Sequence, residues 1–133
     1  MIDIVCADHL IGQLACSDEI KEEAITVIQQ LRQQGLKIIM MTGDRATAAA
    51  KIAQLAGITE VKANVLPVDK ARLVKELQSQ GRKVAMIGDG INDAPALAQA
   101  DSSLAMATGT DVALAAAGIT ILGGDLRKIT AAF

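Results

Sequence analysis

Three segments of helical periodicity, each closed by a glycine and followed by an apolar run, constrain this chain more than any other feature. Residues 19–34 place Ile20, Ala24, Val27, Ile28 and Leu31 on one stripe, with Glu22 and Glu23 in the first turn and Gly35 just past the end. Residues 46–56 followed by Gly57, and residues 69–80 followed by Gly81, repeat the form. Acidic residues suit a helix start, and glycine supplies the left-handed conformation that closes a helix. Residues 36–41 and 83–87 read as buried strands, and residues 103–106 and 119–122 as weaker ones. Strand–helix–strand units of this kind predict an α/β fold, a parallel sheet covered by helices with right-handed crossovers. The first 17 residues break the pattern: residues 2–7 and 10–16 read as two strands joined at Asp8-His9, a hairpin.

At 133 residues, one domain with one core is expected, and 51% hydrophobic residues exclude disorder. With no Trp or Tyr and a single Phe, base stacking has no platform, and a net charge of −2 offers nothing to nucleic acid or an anionic membrane. Cys6 and Cys16 lack zinc spacing and read as buried thiols or a cross-strand pair. The start has no basic region or long apolar run, so no signal peptide is expected. The apolar stretch 112–122 is far short of the ~20 residues of a membrane helix. As given, the chain reads as soluble.

In a parallel α/β sheet, ligands bind beyond the carboxyl ends of the strands, so polar residues there carry the functional argument. Thr42-Gly43-Asp44 follows one strand; its hydroxyl and backbone N–H groups suit a phosphate, although Asp44 alone also reads as a helix cap. Gly88-Asp89-Gly90-Ile91-Asn92-Asp93 follows another; two carboxylates four residues apart suit a hard cation such as Mg²⁺, while an acidic helix-capping turn has the same composition. Lys70, in Pro67-Val68-Asp69-Lys70, is a cation in a first helical turn, where the dipole opposes it, or else a solvated surface lysine. Asp101, Asp111 and Asp125 read as helix caps. His9, the only histidine, reads as an exposed turn residue rather than a catalytic base. A hydroxyl, an ammonium and carboxylates at adjacent strand ends form an arrangement that stabilises a transferring phosphoryl group.

These motifs resemble P-type cation-transporting ATPases. Met41-Thr42-Gly43-Asp44 looks like their TGD motif, Leu66-Pro67-Val68-Asp69-Lys70 their P-x-x-K motif, and IGDGINDAPAL at residues 87–97 their hinge signature. Residues 109–113, 117–120 and 124–126 look like the copper and heavy-metal branch. The resemblance covers nearly all of residues 10–133. It implies the C-terminal part of a phosphorylation domain with a Rossmann-like parallel sheet of haloacid-dehalogenase type, helices on both faces, and an N-terminal β-hairpin. Residues 1–17 would be the end of the nucleotide-binding insert, and residues 18–133 the partial phosphorylation domain.

By this resemblance Asp89 would hold Mg²⁺, and Asp93 would support the metal and lysine site. Thr42 and Asn92 would contact phosphoryl oxygens, Lys70 would neutralise charge, and Gly43 and Asp44 would lie near ATP. The family's nucleophile is the Asp of a DKTGT segment, which this sequence does not contain. The partners implied are therefore the nucleophile-bearing segment and the nucleotide-binding, actuator and transmembrane parts of the same ATPase, with this portion on the cytosolic side. An aspartyl-phosphate mechanism needs its aspartate, so the isolated chain is expected to be inactive. A stand-alone Mg²⁺- or phosphate-binding protein and a small phosphatase of the wider superfamily are the alternative readings.

In the resembled fold the nucleophile strand lies between the strands that end at Thr42 and Gly88. Its place would be filled by residues 2–7, setting Asp8 at the nucleophile's location, by closure of the flanking strands on each other, or by a partner chain.

Overall fold

A computed structural model describes residues 2–6, 9–14, 20–89, 91–106, 115, 117–121 and 125–132. The chain opens with β1 (Ile2–Cys6) and β2 (His9–Leu14), paired antiparallel with Ile2 opposite Leu14 and Cys6 opposite His9. This is the expected hairpin with its second strand starting one residue earlier. His9 is a strand residue rather than a turn residue, a correction that follows from its pairing with Cys6. Asp8 and Cys16 lie outside the described residues. Because β1 pairs with β2, it does not occupy the centre of a parallel sheet, and the claim of Asp8 to a nucleophile's position falls with it.

The remainder runs α1 (Glu22–Gln33), β3 (Ile39–Met41), α2 (Ala46–Ala56), β4 (Glu60–Lys62), α3 (Pro67–Ser79), β5 (Ala85–Gly88), a 3-10 turn (Ile91–Asp93), α4 (Ala94–Gln99), β6 (Ser102–Met106), β7 (Ile119–Ile121) and a closing 3-10 segment (Leu126–Ala132). The three helix-closing glycines all have positive φ, 84° at Gly35, 71° at Gly57 and 80° at Gly81, where a side chain would be strained. Helix α3 begins two residues before the expected start because Pro67 takes the first helical turn, where its missing N–H is no loss. Strand β4 and helix α4 escape the sequence pattern: β4 has three residues, two of them charged, and α4 has six, with a proline in its first turn.

The parallel strands form two groups. Strand β3 pairs with β4, Ile39 opposite Glu60, while β5, β6 and β7 pair in that order. Among the described residues no strand pairing joins β3 to β5. Two apolar clusters nevertheless span both groups. On one face Val27 and Leu31 of α1 pack with Leu104 and Met106 of β6, Ile121 of β7 and Ile129, and Ile38 beside β3 joins them. On the other, Val74 of α3 packs with Met86, Ala96, Leu97 and Ala105, and Met41 of β3 joins them. Helices therefore cover both faces, as the βαβ pattern requires. Burying a side chain such as Leu104 or Val74, both fully buried, contributes about 1.5–3 kcal/mol.

Candidate functional site

Thr42 ends the β3 ladder, its N–H donating to the Lys62 carbonyl at 2.9 Å. The chain then turns on a reciprocal pair: the Thr42 hydroxyl donates to Asp44 Oδ2 at 3.0 Å and accepts from the Asp44 N–H at 3.1 Å. Asp44 thus shapes the loop and does not cap α2, whose N-cap is Arg45 and has no side-chain capping bond. The loop after β4 is laced to this turn, Asn64 N–H to the Asp44 carbonyl at 2.9 Å and Val65 N–H to the Thr42 carbonyl at 3.0 Å. Asn64 takes φ 54° to do so, a left-handed conformation that Asn tolerates better than most residues. This lacing sets the start of α3, and with it Lys70, beside the end of β3.

The second half of the site follows β5. Lys70 Nζ donates to Asp93 Oδ1 at 2.7 Å, with only 13% and 12% of the two side chains exposed. The other oxygen, Asp93 Oδ2, accepts the Asp89 N–H at 3.3 Å. Asp93 therefore couples the ammonium from α3 to the backbone at the end of β5. Gly88 makes this possible: a Cβ there would lie 2.6 Å from the Asp93 Cβ. Asp89 is exposed, and its carboxylate enters none of the described hydrogen bonds or ion pairs. Gly43, Asn64, Leu66, Lys70 and Asn92 line one open cleft of about 390 Å³. The three motifs read from the sequence are thus brought together: Gly43 after β3, Asn92 after β5 and Lys70 of α3 share a cavity, with Thr42 and Asp89 adjoining in sequence.

Among the described residues no group of three His, Cys, Asp or Glu could hold a metal ion. The donor set fits a cation that keeps water and shares phosphate oxygens, as Mg²⁺ does with only one or two protein carboxylates. Asp89 offers such a carboxylate, whereas both oxygens of Asp93 already receive protein donors.

Sequence reading missed the loop at Asn64 and Val65. Its only signal was an Asn shortly before Pro67, a turn composition without a chemical motif. Asp125 caps as expected, accepting the Arg127 N–H at 3.0 Å, and the Arg127 guanidinium, the largest influence, lowers its pKa. Asp111 lies outside the described residues. Asp101 is a correction. It precedes strand β6, not a helix, and accepts from Gln78 Nε2 at 3.0 Å, Lys83 Nζ at 3.0 Å and the Val84 N–H at 2.9 Å. The Gln78 bond first, then those from Val84 and Lys83, hold its carboxyl far below the usual range.

The parallel strands with helices on both faces define an α/β domain whose acidic and lysine residues gather at the strand ends. Residues 2–101 match the haloacid dehalogenase-like hydrolase family, and the chain belongs to it. It is 48% identical over 132 residues to the probable copper-transporting ATPase PacS of Synechococcus elongatus, covering 99% of this chain and 18% of that protein. It is 52% identical over 120 residues to a copper-exporting P-type ATPase of Staphylococcus aureus, covering 90% of this chain and 15% of that one. A crystal structure of a zinc-transporting PIB-type ATPase in its E2.Pi state superposes with a TM-score of 0.86 at 41% identity, covering 97% of this chain and 21% of that one. Within the family the chain is thus similar to the phosphorylation-domain portion of copper and heavy-metal P-type ATPases. It spans less than a fifth of the length of these curated relatives. No helix among the described residues is long and apolar enough to cross a membrane.

Proposed function

We propose that this chain is the C-terminal part of the phosphorylation domain of a copper- or heavy-metal-transporting P-type ATPase, on the cytosolic side of the whole transporter. It supplies Mg²⁺- and phosphoryl-binding residues, and the aspartyl-phosphate nucleophile comes from outside these 133 residues. The observation that supports this most is the Lys70–Asp93 ion pair at 2.7 Å, formed between α3 and the end of β5 at a cleft that Gly43 also lines.

In this reading Lys70 neutralises charge on a phosphoryl group, and Asp93 holds the ammonium in place. Thr42 and Asn92 contact phosphoryl oxygens, and Gly43 and Asp44 lie near the nucleotide. Asp89 holds Mg²⁺, with Asp93 supporting that site through the Asp89 backbone. When bound, Mg²⁺ supplies positive charge against the transferring phosphoryl oxygens. ATP and the nucleotide-binding, actuator and transmembrane parts belong to the full-length protein.

The test is NMR titration of the chain with Mg²⁺ and inorganic phosphate. The amides of residues 42–44 and 88–93 should move first, weakly and at millimolar concentration, and Asp89→Asn should abolish the Mg²⁺-dependent part. Shifts confined to other residues would overturn the assignment. Hydrolysis of an aryl phosphate by the chain alone would overturn the reading in favour of a complete phosphatase.

A further inference from the structure

Strand β4 and helix α3 are joined by Ala63, Asn64, Val65 and Leu66 alone, the last of them the helix N-cap. The chain must reverse there, because a helix that follows a parallel strand runs back along the sheet. Asn64 takes the reversal at φ 54°, and among the described residues it is the one non-glycine position with positive φ. An L residue held left-handed is strained, and Asn bears that strain more cheaply than a bulky or branched side chain. Its carboxamide does not account for the conformation: Asn64 is exposed, and its side chain enters none of the described hydrogen bonds.

The backbone bonds that the reversal allows run between two motifs. Asn64 N–H reaches the Asp44 carbonyl at 2.9 Å and Val65 N–H the Thr42 carbonyl at 3.0 Å, while Thr42 N–H reaches the Lys62 carbonyl at 2.9 Å. Both backbone groups of Thr42 are therefore bonded to the β4 side. Immediately beyond, the Leu66 carbonyl accepts the N–H of Asp69 at 3.0 Å and of Lys70 at 3.1 Å, which closes the first turn of α3. Gly43, Asn64 and Lys70 line the same cleft. The direction in which the chain leaves Asn64 is thus the direction in which α3 presents Lys70 to the loop after β3.

We propose that Asn64 is a positioning residue: its left-handed backbone fixes where the Lys70 ammonium stands relative to the Thr42–Asp44 loop, so that cation and loop face one phosphoryl group. What Lys70 does to that group rests on the function proposed above; the positioning itself does not. Lys70 is held from two sides. Asp93 takes its ammonium at 2.7 Å, and Asn64 sets the start of the helix that carries its backbone. Asp93 cannot do both, because the described bonds of its carboxylate run only to Lys70 and to the Asp89 N–H, and no strand pairing among the described residues ties β5 to β3. A different φ at Asn64 swings the start of α3 away from Thr42 and pulls Lys70 against its partner.

The experiment compares Asn64→Val and Asn64→Gly with the unaltered 133-residue chain, free of ligand, by NMR of the Lys70 ammonium and hydrogen exchange of the backbone amides. Valine is branched and resists positive φ, so the Val65 amide should exchange about 5–30-fold faster. The Lys70 Nζ resonance should move with it. Glycine adopts positive φ without strain, so Asn64→Gly should return both signals to their original values although it lacks the carboxamide. Urea midpoints are measured alongside: a lowered midpoint in Asn64→Val with the Lys70 resonance unmoved would make Asn64 merely structural and overturn the proposal. Asn64→Gly shifting Lys70 as far as Asn64→Val would overturn it too, because the carboxamide and not the backbone would then matter. Inorganic phosphate titrated into the same three proteins tests the phosphoryl site separately. Its affinity should fall in Asn64→Val and recover in Asn64→Gly. If the unaltered chain shows no phosphate shifts at residues 42–44, the phosphoryl reading fails, and the ligand-free Lys70 signal still decides the positioning.

Discussion

A Cβ on residue 88 would lie 2.6 Å from Asp93 Cβ, 2.7 Å from its Oδ2 and 2.9 Å from its Cγ, so Gly88 and Asp93 are packed in direct dependence. The same aspartate is the partner of Lys70. Gly88→Ala should force Asp93 aside and destabilise the chain by about 1–3 kcal/mol, the usual cost of overpacking. Urea unfolding measures this, and the Lys70 Nζ resonance should move with it. An unchanged midpoint would show that the loop after β5 yields without cost.

Removing either charged partner of the pair should cost more than replacing Asp93 by its amide. Asp93→Ala leaves the Lys70 ammonium without its carboxylate in a site where little of either side chain is exposed. An uncompensated buried charge costs about 3–5 kcal/mol, and partial exposure puts this site at or below the lower end. Asp93→Asn keeps an acceptor and should cost less, while Lys70→Met keeps the aliphatic stem but leaves the Asp93 carboxylate without its cation and should cost about as much as Asp93→Ala. Chemical denaturation of the three variants should show Asp93→Asn as the most stable of them.

The fold was legible because its signals are local and repeated. Gly35, Gly57 and Gly81 mark helix ends through a backbone conformation that only glycine adopts cheaply, so each helix was found to within a few residues. The site was legible for a different reason: Thr42, Lys70, Asp89 and Asn92 belong to contiguous motifs, and strand ends bring such motifs together. What escaped depends on contacts distant in sequence. Asp101 looks like a cap until Lys83 and Gln78 are seen to approach it. Asn64 has no motif, and its role appears only when its N–H meets the Asp44 carbonyl. The separation of β3 from β5 among the described residues did not escape: the resemblance set a further strand between them.

Asp101 makes the stability of this chain depend on acid. Its carboxylate is stabilised by Gln78, then by the Val84 N–H and Lys83, so its folded pKa lies below the unfolded value. The unfolded chain then binds the proton more readily, so the stabilisation is present above about pH 3.9 and is lost as pH falls through the folded value. Asp101→Asn should lower the urea midpoint by a constant amount from about pH 7 to about pH 5, and the difference from wild type should narrow below about pH 4. A difference unchanged into strong acid would show that the charge of Asp101 is irrelevant and only its shape matters.

Neighbouring strand positions that face the same way should respond very differently to truncation. Leu104 is fully buried between α1 and β7, and Leu104→Ala should cost about 2–5 kcal/mol, because the site loses both transfer energy and close contacts. Ile87 lies opposite it in register but is 38% exposed. Much of its apolar area already meets water, so Ile87→Ala should cost about 1 kcal/mol or less in the free chain. Denaturation of both variants measures the difference. If Ile87→Ala is as costly as Leu104→Ala, exposure does not set the cost of truncation at these two positions, and the burial argument fails for β5.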